Sequence, residues 1–176
     1  MKSHPGGIEH TRRMLELAEL PAGASVLDMG AGAGETLALL RSLGYAARGI
    51  DREPRSPDVE KGDFLHAPFP DGSFDAVLSQ CAFFVSGDQR GALREAGRLL
   101  RGGGKLLLSD VFFEDAEKLV QSAGFKVLYA GDMTALWREY WLEALWEDDE
   151  PCCEIPKGKS SYWLLIAGKE KADGSF

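Results

Sequence analysis

The sequence predicts an α/β protein: a doubly wound, mostly parallel sheet with helices on both faces and an antiparallel last strand. Three observations lead there. Short apolar, strand-forming runs alternate with stretches of helical period along the chain, and strands joined by helical crossovers form sheets covered on both faces. The first strand runs straight into Gly30-Ala31-Gly32-Ala33-Gly34, and a helical stretch follows at once. Such a turn sets bare backbone and a helix N-terminus beside a ligand. Finally, Gly30, Asp51, Asp63, Ser79 and Asp110 all fall at C-terminal ends of expected strands. Ligands of these sheets bind beyond those ends, where the strand order switches.

The elements follow in order. Residues 8–20 read as an amphipathic helix, with Ile8, Met14, Leu15, Leu17, Ala18 and Leu20 as its apolar set. Pro21-Ala22-Gly23 ends it, and 25–29 is the first strand. A helix over 35–43 stops at Gly44, a natural C-cap. Strand 46–51 precedes Arg52–Pro57, whose two prolines leave little room for a helix. A short third strand is expected over 59–65. After the Asp71-Gly72 turn come strand 74–79, a helix over 88–101 halted by Gly102-Gly103-Gly104, and a buried strand over 105–110. Helix 113–123, strand 125–130, an aromatic-rich helix 133–147, an acidic loop 148–160 and a last strand 162–167 complete the chain, ahead of a polar tail. One domain over 1–176 is expected: a covering helix (1–23), a ligand-binding core (24–130), and a substrate-side helix with the last strand (131–176).

With 176 residues the chain can bury a substantial core. It is 44% hydrophobic and 27% charged, the balance of a water-soluble globular protein. The net charge of −8, with arginines scattered among acids, argues against nucleic acid, which needs a basic face to neutralise phosphates. Cys81, Cys152 and Cys153 lack regular spacing, which argues for a reducing compartment and against a disulfide framework. The N-terminus lacks the apolar segment of a signal peptide, and no run suits a membrane span. A cytoplasmic location is expected.

The glycine turn has two readings. A dinucleotide fingerprint wants Gly-x-Gly-x-x-Gly. Here the spacing from Gly30 is Gly-x-Gly-x-Gly, and Glu35 stands where the third glycine belongs. A glutamate in the first helical turn opposes a pyrophosphate by like charge. Asp51 ends the second strand about 20 residues past the turn. Its carboxylate suits two ribose hydroxyls, whichever nucleoside cofactor is bound.

Val26-Leu27-Asp28-Met29-Gly30-Ala31-Gly32-Ala33-Gly34 resembles the first motif of class I S-adenosylmethionine (SAM) dependent methyltransferases, a Rossmann-like family. Gly62-Asp63-Phe64-Leu65, Phe74-Asp75-Ala76-Val77-Leu78-Ser79-Gln80-Cys81 and Leu99–Asp110 are similar to that family's later motifs, in family order. The small-molecule "type 11" enzymes, which include quinone-biosynthesis and arsenite methyltransferases, are the nearest resemblance. It implies SAM as cofactor, with Gly30, Gly32 and Gly34 cradling the methionine part and Asp28 orienting it. Asp51 would hold the ribose, Asp63 and Phe64 the adenine, and Ser79 and Gln80 would border the sulfonium. SAM carries no phosphate, so an acidic turn suits its cationic groups. Ser-Gln-Cys stands where amino-methylating enzymes of nucleic acids often carry an acid or Asn and two prolines. His4-Pro5-Gly6-Gly7 occupies the place of a flexible cofactor-covering segment.

Two departures from the family stand out: the short, proline-rich Arg52–Val59 segment and the lack of a visible catalytic base. Methyl transfer is an in-line displacement that positioning and exclusion of water largely accelerate; a base is needed only for a protonated nucleophile. His66 is the histidine placed to act as one, with His10 on the covering helix the other. Met133, Leu136, Trp137, Tyr140, Trp141, Leu145 and Trp146 form a broad stripe that core packing largely explains. The family varies its substrate elements after the fifth strand, so Trp137, Tyr140 or Trp141 would line an acceptor pocket. Cys152-Cys153 lack zinc-site spacing, and no metal is expected. The expected function is methyl transfer from SAM to a small-molecule acceptor. The alternatives are a SAM-binding domain without catalysis, acting as sensor or partner subunit, and a nicotinamide-dependent oxidoreductase.

Overall fold

The structure, a computed structural model, describes residues 4–147, 158–171 and 174. Its elements are α1 (Gly7–Ala18), β1 (Ser25–Met29), α2 (Glu35–Ser42), β2 (Ala46–Asp51), β3 (Glu60–Lys61), β4 (Phe74–Gln80), α3 (Gln89–Leu99), β5 (Leu100–Phe112), α4 (Ala116–Ser122), β6 (Phe125–Asp132), α5 (Thr134–Glu147) and β7 (Ser161–Lys169), with a 3-10 turn over Phe64–His66. The strands form one sheet in the order β3-β2-β1-β4-β5-β7-β6. The first five pair parallel, and β7 runs antiparallel to both neighbours. The order reverses between β1 and β4, so their C-terminal ends flank the crevice such a sheet offers a ligand.

Period-two alternation assigns each strand's residues to two cores. Leu27, Val77, Leu106, Leu108 and Leu165 meet α3 and α4 on one face, through Ala92, Leu93, Ala96, Leu99, Leu119 and Val120. Val26, Ala76, Leu78, Leu107, Leu164 and Ile166 meet α1 and α2 on the other, through Met14, Leu15, Ala18, Leu37 and Leu40. The central strands are buried on both sides, which is why they read as continuous apolar runs. Among the described residues, no helix is long and apolar enough to cross a membrane.

Several boundaries differ from expectation, each for a non-local reason. The third strand shrinks to Glu60–Lys61, because Asp63 Oδ1 accepts from Leu65 N–H at 2.9 Å and turns the chain into the 3-10 turn. The fifth strand grows to Leu100–Phe112, since β7 supplies partners from Lys105↔Gly168 out to Phe112↔Ser161. Gly102-Gly103-Gly104 therefore lie within this strand, where pairing jumps from Phe74↔Leu100 to Ala76↔Lys105. Helix α4 starts at Ala116, capped by Asp115, which accepts from Lys118 N–H at 3.0 Å. No helix forms between β2 and β3, as the prolines there require. Residues 148–157, with the acidic run and Cys152-Cys153, lie outside the described residues.

Candidate functional site

The glycine turn closes on itself by backbone geometry. Gly34 N–H donates to the Ala31 carbonyl at 2.7 Å, and Gly30 N–H to the Ile50 carbonyl at 2.9 Å. At Gly30, with φ +88°, an added Cβ would lie 2.2 Å from the Ala82 Cβ, so only glycine lets the turn pass beneath the end of β4. Above the turn lies a cavity of about 60 Å³, walled by Asp28, Glu35, Thr36, Gln80, His4 and Arg55 with the backbone of residues 30–33. Asp28 is 3% exposed, and its Oδ2 finds no partner among the described residues. Burial, with Asp51 adding like charge, pushes its carboxyl up to about 7. A buried carboxylate left without a partner is the natural seat of a cation.

Gln80 ties the walls together. Its Oε1 accepts from Thr11 Oγ1 and Thr36 Oγ1, each at 3.2 Å, and its Nε2 donates to His4 Nδ1 at 3.2 Å. One side chain thus joins β4, the segment before α1, the middle of α1 and the first turn of α2. Ser79 is fully buried and donates to the Met29 carbonyl at 2.8 Å, clamping β4 to β1 below the cavity. Cys81 follows with φ +56°, a conformation that costs a non-glycine residue about 1–3 kcal/mol. Its N–H donates to the Ser109 carbonyl at 2.9 Å, which helps hold the strained turn.

The remaining expected residues lie around this cavity, and not all border it. Asp51 Oδ2 accepts from Gly32 N–H and its Oδ1 from Glu53 N–H, both at 2.9 Å, so the carboxylate holds the glycine turn and still has lone pairs for a hydroxyl. Asp63 pairs with Arg52 at 2.9 Å, which, with its capping bond, holds its carboxyl below the usual range. Phe64 is buried against Phe83, ring centres 5.8 Å apart. His66 is exposed, its Nδ1 4.0 Å from Asp63 Oδ2, and does not wall the cavity. Thr11, Thr36 and Arg55 were not singled out in the sequence. Thr36, next to the glycines in a first helical turn, is the one a sequence signal marks.

The expectation that a ring of α5 faces the cleft finds no support. Trp137, Tyr140 and Trp141 are 5%, 2% and 9% exposed and cluster with Cys81, Val111 and Tyr162. Trp137 stacks on Tyr162, centroids 6.2 Å apart at 10°, and none of the three walls the cavity at Asp28. They carry core packing over the ends of β4, β5 and β7.

Beneath them runs a buried polar chain. Ser109 Oγ donates to Tyr162 OH at 2.9 Å and bonds His10 Nε2 at 2.8 Å, so His10 donates there from its Nε2–H tautomer. Burial, with nearby His4, lowers the His10 pKa to about 4. An unfolded histidine near 6.5 takes up its proton first, so stability is complete above about pH 6.5 and falls as pH drops towards 4, by up to about 3 kcal/mol. His10→Gln keeps a donor for Ser109 and should flatten that acid-side fall in urea midpoints relative to wild type. A variant as acid-sensitive as wild type would remove His10 from this account. Among the described residues, no cluster of three or more His, Cys, Asp or Glu side chains is arranged to hold a metal.

Comparison with known proteins fits this geometry. A family model described as "Methyltransferase domain" matches residues 27–108, from β1 through most of β5. The chain is 32% identical over 117 residues to the demethylmenaquinone methyltransferase of Tropheryma whipplei, covering 57% of this chain and 48% of that protein. It thus spans about half the length of that relative. Among solved structures it resembles phosphoethanolamine N-methyltransferase 2 of Haemonchus contortus in complex with S-adenosyl-L-methionine, with a TM-score of 0.76 at 17% identity, covering 96% of this chain and 54% of that one. It also resembles the cyclase SpnF, with a TM-score of 0.75 at 20% identity over 93% of this chain and 81% of that one. At these identities the two structural likenesses concern the fold.

Proposed function

We propose that the chain is a class I SAM-dependent methyltransferase, on its likeness to the methyltransferase domain model over residues 27–108, and that it binds SAM above the glycine turn and transfers its methyl group to a small molecule. The observation that carries the reading is Asp28: a buried carboxylate with an oxygen that has no partner among the described residues, walling a cavity over a turn that only glycine at Gly30 permits. That donor set suits the ammonium of an α-amino acid. When bound, SAM supplies an electrophilic methyl on a sulfonium. Asp28 orients the amino-acid end, Gly30, Gly32 and Gly34 leave room for it, and Gln80 fixes the wall beside it. Asp51 takes the ribose, and Asp63 with Phe64 takes the adenine. The nucleophile belongs to the acceptor, and rate enhancement comes from alignment and water exclusion. The small-molecule acceptor is supported by relatives such as the menaquinone enzyme and by the acidic charge of −8.

A nicotinamide cofactor is disfavoured, because Asp28 and Glu35 in the cavity wall oppose a pyrophosphate. Calorimetry tests the choice. SAM and S-adenosylhomocysteine should bind and NAD should not; NAD binding without a response to either sulfur nucleoside would sink the proposal. A second reading, SAM binding without methyl transfer, draws support from His66, the expected base, which does not wall the cavity. Methyl-labelled SAM incubated with a small-molecule cell extract separates the two: label in a small product supports transfer, and binding without labelled product supports the second reading.

A further inference from the structure

We infer that Arg55 is the specificity-determining residue of this site, reading the carboxylate at the amino-acid end of the cofactor. The inference rests on the SAM reading above and names a contact within it. Arg55 belongs to the short segment after β2 that replaces a helix. Its N–H donates to the Gly32 carbonyl at 2.9 Å, fixing the segment over the glycine turn. Its Nη2 lies 3.1 Å from the point where a Cβ on Gly32 would sit, and the side chain walls the same cavity as Asp28. Among the described residues, no carboxylate pairs with this guanidinium.

The charges around the cavity then form a pattern. Asp28 and Glu35 stand in its wall, with Asp51 close enough to Asp28 to raise its pKa. A ligand carboxylate entering beside these acids needs a cation, and among the described residues Arg55 is the one arginine or lysine of the wall. The N-terminus of α2 adds partial positive charge on the same side. Ammonium at Asp28 and carboxylate at Arg55 are the two groups of one α-carbon, and a planar guanidinium meets a carboxylate through two parallel bonds.

Arg55→Met and two ligands test this. Decarboxylated SAM keeps the ammonium and sulfonium and lacks only the carboxylate. By calorimetry, Arg55→Met should weaken SAM about tenfold to a hundredfold, the worth of a charge-assisted pair, and should change decarboxylated SAM by less than about threefold. Arg55→Lys should retain part of the SAM affinity, because the charge remains and the fork is lost. Equal weakening of both ligands would overturn the inference, since Arg55 would then hold the turn or the nucleoside. Unchanged or tighter SAM binding would also overturn it, leaving Arg55 as a strap across the mouth. Wild-type protein that binds neither ligand would instead overturn the SAM reading itself, and this assignment with it. Arg55 is exposed, so thermal melts of the variants should match wild type.

Discussion

Asp28→Asn makes the ligand-free protein more stable at pH 8 and weakens its hold on SAM. A carboxyl that titrates at about 7 in the fold and at 3.8 in a model peptide costs the folded chain roughly 4 kcal/mol once both states are ionised. The sign follows from the order of titration. Between pH 4 and 7 the fold keeps a proton the unfolded chain has released, so this group's contribution to stability declines as pH climbs through that window. The asparagine amide removes the charge but leaves polar atoms in the same unpartnered place, so a net gain of about 1–3 kcal/mol is expected. For a chain of this size that is a rise in Tm of roughly 3–10 °C at pH 8, fading towards pH 5, where wild-type Asp28 is protonated. Binding moves the other way. The ammonium of SAM wants the carboxylate, so wild-type affinity should climb as pH rises from about 5.5 to 7.5, with proton release on binding, and Asp28→Asn should lose about a hundredfold at pH 8. A variant less stable than wild type at pH 8, or one with undiminished affinity, would contradict the cation-seat reading of this carboxyl.

Gly30→Ala removes more stability than any other single methyl added to the glycine turn. Its Cβ would sit 2.2 Å from the Ala82 Cβ, at φ +88°. Neither methyl can swing away, because both hang directly on backbone, and the chain before Ala82 is already held by the Cys81 turn at φ +56°. Overpacking and backbone strain together cost about 3–5 kcal/mol, measured as a drop in urea midpoint. Gly32→Ala is the control. Its Cβ meets Arg55 Nη2 at 3.1 Å, the far end of a long side chain that can step aside, so its loss should stay near 1–2 kcal/mol. Ala82→Gly placed in the Gly30→Ala background should return the clash component and leave the φ strain, a coupling that a double-mutant cycle measures. A Gly30→Ala protein with wild-type stability would show that the turn does not pass under β4 as described.

These two positions mark how far the sequence carried. The glycine turn, the acid at the end of β1, the order of strands and helices and the missing helix after β2 were legible because each is written in neighbouring residues: apolar period, glycine spacing, paired prolines. The α5 rings misled for a related reason. A stripe of aromatics reports that a face is apolar, not what covers it, and Tyr162, remote in sequence, supplied the stacking partner for Trp137.

By itself, then, the sequence determined the fold class, the crevice at the C-terminal end of β1 and the glycines that floor it, since those follow from local conformation and from periodic burial. Only the tertiary structure decided which polar groups meet there. The extension of β5 awaited β7 as a partner, the threefold use of Gln80 awaited His4, Thr11 and Thr36 from two helical segments, and Arg55 became a cavity wall only when its N–H found the Gly32 carbonyl. The proton on Asp28 was decided there too. Residue type sets a carboxyl's ordinary pKa, but burial and the Asp51 charge, which exist only in the folded chain, set the value of about 7.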